Sequence, residues 1–247
     1  MSTLVLALVA GTVIGLALGA LGGGGGVLAV PALIYLLGFS AASATTASLI
    51  IVTATSATAL YAHARDGHVA WKAGVSMAAA GVLPAFLAGA VADRLPEAAL
   101  TAAFAVIAAL AALRMLRPSA AEPTEGVRPA KAAGTGAGLG AVTGFLGVGG
   151  GFLAVPALVG VLGLRMKQAV GTSLLVITVN SLAALGARSG TGDDLRWEVI
   201  APFAGAAILG AWDGRRLAAK VSGATLRRVF AYTLFAVAAF MIVDVVV

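Results

Sequence analysis

Two stretches of the sequence combine residue types that could do chemistry together. GALGGGGGVLAVPAL runs from Gly19 to Leu33, and GFLGVGGGFLAVPAL from Gly144 to Leu158. They lie 125 residues apart and agree at 12 of 15 positions. Glycine lets a ligand approach the backbone because no side chain stands in the way. Where glycines interrupt an apolar helix, the helix that resumes starts with free N–H groups and a partial positive charge. Such an end attracts an anion. The next apolar segment of each half adds neutral donors. Ser48, Thr55 and Ser56 fall within about 100° on a helical wheel, and Ser173, Asn180 and Ser181 occupy the equivalent positions. Thr45 joins that stripe in the first half only. The candidate anion-binding set is therefore Gly24, Gly25, Gly26, Val27, Ser48, Thr55 and Ser56 from one half. The other half supplies Gly149, Gly150, Gly151, Phe152, Ser173, Asn180 and Ser181.

The elements that position these residues must lie in a membrane. The chain has 247 residues, 60% of them hydrophobic and 11% charged, against about 25% charged in soluble domains. The first charged residue is Arg65. The net charge of +6 comes from bases in short loops between apolar runs, where they orient a membrane chain. It does not indicate a nucleic-acid partner. With no cysteine, disulfides and thiolate chemistry are excluded. The N-terminal apolar run lacks the basic flank of a signal peptide, so it is expected to remain as a membrane segment.

The glycine-rich match belongs to a longer repeat. At the same offset Ser48-Leu49 matches Ser173-Leu174, Thr53 matches Thr178, and Ser56 matches Ser181. One inserted residue then aligns Trp71 with Trp197 and Leu100 with Leu226. The chain divides into repeat 1 (1–116), a polar, proline-containing linker (117–131) and repeat 2 (132–247). Apolar segments fall at about 3–21, 27–37, 43–63, 73–92 and 97–116, then 132–147, 152–163, 168–187, 197–212 and 229–247. The second segment of each repeat is too short to cross alone, since a spanning helix needs about 20 residues. It reads as a half-helix, beginning near Val27 in repeat 1 and at Phe152 in repeat 2.

Charge chooses between parallel and inverted repeats. If each glycine-containing stretch counts as one crossing, the 16 Lys and Arg residues divide evenly between the two sides. If each goes in and comes back, only Arg94, Arg188 and Arg196 lie on one side and 13 lie on the other. The positive-inside rule favours the second arrangement. The expected fold is therefore an all-α polytopic membrane protein of two inverted repeats, with a cytoplasmic linker and both termini outside. Broken helices in inverted repeats are a transporter design, with the substrate held near the midplane.

Competing readings of the motifs fail. No strand precedes the glycines and no acidic residue follows at dinucleotide-fold spacing, and no P-loop motif is present. Gly15, Gly19, Gly140 and Gly144 fit close helix packing better than a ligand site. His63 and His68 lack metal spacing, and His63 reads as interfacial rather than as a proton relay. No carboxylate lies in the middle of a spanning segment, which leaves proton coupling undecided. Neither a nucleophile–base pair nor a metal set marks an enzyme, and no cofactor is expected.

The paired GGGGGVLAVPAL and GVGGGFLAVPAL, with ATTASLI and AVGTSLL after them, resemble the sulfite exporter TauE/SafE family, also called the 4-toluene sulfonate uptake permease family. The resemblance covers the whole chain and includes DGRRLAAKVSGATLRRVFA, from Asp213 to Ala231. It implies a bacterial inner-membrane transporter of sulfite, sulfonates such as sulfoacetate, or related small anions. The expectation is a secondary transporter working by alternating access. A passive anion channel of the same fold and a carrier of a non-sulfur organic anion are the alternatives. The expected partners are the anion and the lipid bilayer. A homo-oligomer, the direction of transport and the coupling ion are left open.

Overall fold

A computed structural model of the chain describes residues 2–22, 24–92, 97–116, 129–146, 151–187 and 195–246. These residues are almost entirely helical. Repeat 1 forms α1 (Ser2–Leu21), α2 (Gly24–Pro31) with a π-helical turn (Ala32–Leu36), α3 (Ala41–Arg65), α4 (Trp71–Ala92) and α5 (Glu97–Leu116). Repeat 2 forms α6 (Pro129–Leu146), α7 (Gly151–Gly160), α8 (Met166–Ala187), α9 (Trp197–Lys220) and α10 (Gly223–Val246). Among the described residues, Thr3–Leu21, Ser43–Arg65, Trp71–Ala88 and Met166–Gly186 are long and apolar enough to cross a membrane. The protein is a polytopic all-α membrane protein.

Several boundaries differ from the sequence expectation. The first half-helix starts at Gly24 rather than near Val27, so the glycines form its first turn. The ninth segment continues to Lys220 and the tenth starts at Gly223, whereas the apolar runs are 197–212 and 229–247. Apolar runs mark the part of a helix that lipid covers. Arg, Leu, Ala and Lys sustain a helix equally well beyond it.

The outer surface is apolar. Leu4, Val9, Leu83, Phe86, Leu110, Leu209 and Tyr232 are all exposed, a surface suited to lipid rather than water. Trp71 and Trp197 are equivalent in the repeat and each opens its helix, 52% and 56% exposed. Indole rings at such positions favour the headgroup layer.

Helix pairing is an exchange between the halves. α1 packs along α9, and α4 packs along α6; each pair joins the first segment of one repeat to the fourth of the other. The contact residues repeat as well. A methyl group on Gly11 would meet the Phe203 carbonyl, and one on Gly136 the Met77 carbonyl. Gly15 is seated on Ala207 in the same way, and Gly140 on Gly81. Both glycine pairs keep the repeat offset, and their partners keep it plus the inserted residue. Backbones this close gain dispersion contacts, which must hold helices together where lipid is as apolar as leucine. α3 pairs with α8 and α5 with α10, each with its own counterpart.

Polar contacts at the helix ends join particular loops. Arg215 Nη1 is 2.5 Å from Asp66 Oδ2. Arg196 donates to the Leu37 carbonyl and lies 4.1 Å over the Phe39 ring. Arg227 donates to the Met115 carbonyl, and Lys167 Nζ to the Ala219 carbonyl at 3.4 Å. Each contact joins loops that inverted repeats place on one side of the membrane. Parallel repeats would separate Asp66 from Arg215, and Leu37 from Arg196.

Gly15→Val and Gly140→Val should each force their helix pair apart. Overpacking of this kind costs roughly 1–3 kcal/mol or more. Loss of the monodisperse peak on size exclusion in detergent is the expected result. Gly134→Ala, where a methyl group meets nothing within 4 Å, should leave that peak unchanged.

Candidate functional site

The break after α1 is built by one residue. Gly22 has φ +70°, and its N–H closes α1 by donating to the Leu18 carbonyl at 2.8 Å. A side chain would be strained in that conformation. The first four N–H groups of a helix have no intrahelical acceptor. In α2 these belong to Gly24, Gly25, Gly26 and Val27, which is the set expected from sequence. α2 has 8 residues and α7 has 10, so they rise about 12 and 15 Å. Neither can span a bilayer. Pro31 stands at the end of α2, where the chain passes into the π turn. Gly151 and Phe152 open α7, while Gly149 and Gly150 lie outside the described residues.

The repeat 1 break rests on repeat 2. A Cβ on Gly22 would be 2.5 Å from Ser173 Oγ, 3.2 Å from the Val170 carbonyl oxygen and 3.3 Å from Val155 Cγ2. Ser173 is buried and donates to the Val170 carbonyl at 2.7 Å. The same turn of α8 meets the end of α3. A Cβ on Gly171 would meet the His68 carbonyl and lie 3.3 Å from His63 Cβ. The Ala70 N–H donates to Thr172 Oγ1 at 2.9 Å. His63 is 5% exposed, and its Nε2 is 3.4 Å from the Gly19 carbonyl oxygen in the last turn of α1. His63 stands in the last turn of α3, near a helix end as the interfacial reading expects, and α1, α8 and the following loop cover it.

The polar stripes meet along α3 and α8. Ser56 Oγ and Thr178 Oγ1 are 2.9 Å apart. Seven residues separate His63 from Ser56 on α3, and seven separate Gly171 from Thr178 on α8. The two helices therefore run antiparallel in register. One further turn brings Thr53 and Ser181 to the same crossing. The repeat exchanges these pairs, because Thr53 matches Thr178 and Ser56 matches Ser181. One pair is bonded. In the other, Thr53 Oγ1 and Ser181 Oγ are both buried without a partner, and so is Asn180 Oδ1. A buried polar group left unpaired costs about 1–3 kcal/mol. Three in neighbouring positions mark a place that a ligand or water can satisfy.

The expected residues thus lie at two levels. Gly22, two residues before α2, sits with Ser173. Ser56, Asn180 and Ser181 sit about 10 Å further along the α3–α8 seam, two helical turns away. Ser48 is buried on α3. Thr55 is buried and donates to the Ile51 carbonyl at 2.6 Å, which occupies its proton. Thr53, Thr178 and His63 were absent from the sequence-derived set. The repeat match named both threonines, and their spacing of one turn from Ser56 and Ser181 was the available signal.

The sulfite exporter TauE/SafE family model matches residues 7–241 of the chain. Two relatives described as "Probable membrane transporter protein", from Xylella fastidiosa strains Temecula1 / ATCC 700964 and 9a5c, are each 34% identical. Both alignments cover 97% of this chain and 95% of the relative. No solved structure gives a significant match.

The unpaired hydroxyls make a prediction about stability. Thr53→Val and Ser181→Ala should raise the melting temperature in detergent, each by the equivalent of about 1 kcal/mol, by removing a buried group that has no partner. Ser56→Ala should lower it, because it removes the hydroxyl bond between α3 and α8 and leaves Thr178 only its own-helix bond to the Leu174 carbonyl. A drop in all three would mean that the open pair is not open.

Proposed function

The chain belongs to the sulfite exporter TauE/SafE family and is a multi-pass membrane transporter, and we propose that it is a secondary carrier of small sulfur-containing oxyanions such as sulfite or sulfoacetate. The observation that carries this reading is the open polar pair at the α3–α8 crossing. Thr53, Ser181 and Asn180 offer neutral hydrogen-bonding groups inside the membrane, with no lysine or arginine beside them in sequence. Neutral donors can hold an oxyanion without trapping it as a fixed charge would. The free N–H groups of Gly24, Gly25, Gly26 and Val27, with Ser173 next to the break, form a second station nearer one membrane face. The equivalent station in repeat 2 comprises Gly149, Gly150, Gly151 and Phe152, with Ser48 as the counterpart of Ser173. Ser56 and Thr55 complete the lining of the crossing from α3.

Alternating access follows from the exchange of pairs. In one state Ser56 and Thr178 are bonded and the Thr53–Ser181 side is open. Rocking one repeat against the other would close the second pair and open the first. The arrangement requires inverted repeats in a bacterial inner membrane, with the linker in the cytoplasm. The division of basic residues supports that topology, as does the joining of Asp66 to Arg215 and of Arg196 to Leu37. The transporter reading leaves no role for a catalytic group or a cofactor.

Two experiments test the proposal. Purified protein in proteoliposomes should take up labelled sulfite, sulfoacetate or thiosulfate with saturation and counterflow, and sulfate or acetate at least tenfold more slowly. Gly25→Val combined with Gly150→Val should abolish the flux while the protein still inserts. Linear, unsaturable flux would identify a channel instead. For topology, single cysteines at Ser2, Ser119 and Ser222 can be labelled in a chain that has no native cysteine. Positions 119 and 222 should react from the cytoplasm and position 2 from outside. Labelling of 119 and 222 from opposite sides would exclude inverted repeats.

A further inference from the structure

An oxyanion leaving water for a membrane interior needs compensating charge. Neutral hydroxyls and the partial charge of a helix end supply only part of it. Among the described residues, the one titratable side chain in the buried polar set is His63. It stands at the repeat 1 break. Its Nε2 lies 3.4 Å from the Gly19 carbonyl oxygen, one turn before Gly22. On its other side Gly171 brings the turn of α8 that carries Ser173 against the His63 Cβ. Its Nδ1 is buried and has no hydrogen-bond partner.

A neutral imidazole has one donor and one acceptor nitrogen. With Nε2–H directed at the Gly19 carbonyl, Nδ1 is left as an acceptor with no donor. A proton at Nδ1 turns it into a donor and gives the ring a positive charge. An anion seated at the start of α2 then offers both an acceptor and the opposite sign. The charged and titratable groups around the ring are few. His68 lies 6.2 Å away between ring centroids, in the half-exposed loop beyond α3. Asp66, one turn past His63, is bonded to Arg215 of α9. α1 has no charged residue, and on α8 Lys167, near its start, is directed to the Ala219 carbonyl. Among the described residues no carboxylate lies within the break, and Asp66 is held by Arg215.

We propose that His63 carries the coupling proton of this transporter. It takes up one proton at Nδ1 from solvent as the anion binds at the Gly22 break, and releases that proton to solvent when the anion leaves, so that proton and anion cross in the same direction. This rests on the anion-carrier reading and adds the coupling ion to it.

The test uses the full chain in proteoliposomes, with the membrane potential held at zero by potassium and valinomycin and the outside one pH unit more acid. Labelled sulfoacetate and thiosulfate are the probes, because both stay ionised near neutrality. The wild type should accumulate a probe about tenfold, the ratio set by one proton per anion. His63→Gln should lose the accumulation and exchange the probe more slowly at equal pH, and His68→Gln should change neither. Accumulation by His63→Gln equal to the wild type would overturn the proposal. Exchange without accumulation by the wild type would also overturn it. If neither probe exchanges at equal pH, the sulfur-anion reading fails, and the proton site is judged without substrate. Nitrogen-15 spectra of the two histidines in detergent, assigned with His68→Gln, should then show His63 gaining a proton as the pH is lowered while the protein stays folded. A His63 ring that stays neutral until the protein unfolds would overturn the assignment.

Discussion

Lipid offers no hydrogen bonds, so every backbone N–H and C=O within the bilayer must find a partner inside the protein. Most of the helices meet that demand with their own ladders, apart from the positions where Pro84, Pro156 and Pro202 bring no N–H. The ends of α1 and α2 at Gly22 do not. The interruption is tolerable only where other protein surrounds it. Val170, Ser173 and Val155 from the second repeat therefore close over Gly22, and His63 closes over the Gly19 carbonyl. The placement of α7, α8 and the end of α3 follows from covering that one interruption.

Covering it requires the helices to come close, and close approach is the work of other glycines. Gly11 and Gly15 let α1 lie on the α9 backbone. Gly136 and Gly140 let α6 lie on α4 at the same register. In a medium with no hydrophobic drive between helices, this contact is the main attraction available. The consequence is an interlocked molecule in which neither repeat has a core of its own. Each of the two buried clusters takes helices from both halves.

Repeated halves do not give identical halves of a site. The Ser56–Thr178 bond and its counterpart, Thr53 with Ser181, are related by the repeat, and only the first is made. A symmetric bundle would satisfy both and gain stability. Leaving one pair open keeps polar atoms unpaired inside the bundle. Asn180, which replaces Thr55 in the second repeat, adds to the open side.

The repeat, the helical segments, the glycine interruptions and the membrane class were all readable from residue type and spacing. They depend on local periodicity and on the transfer of apolar side chains, both of which are properties of the chain alone. Membership of the polar stripes was readable for Ser56, Asn180 and Ser181 for the same reason. Which hydroxyl meets which was not, because the α3–α8 register depends on two helices more than a hundred residues apart. Thr55 falls on the right face yet bonds its own helix. His63 has the spacing of an interfacial residue and is buried by α1 and α8. The true end of α9 was hidden because helix propensity continues past the point where lipid stops. Sequence by itself determined the parts and their repetition. Only the tertiary structure decided which polar atoms are paired and which are left open, since pairing in the membrane is set by contacts between distant segments.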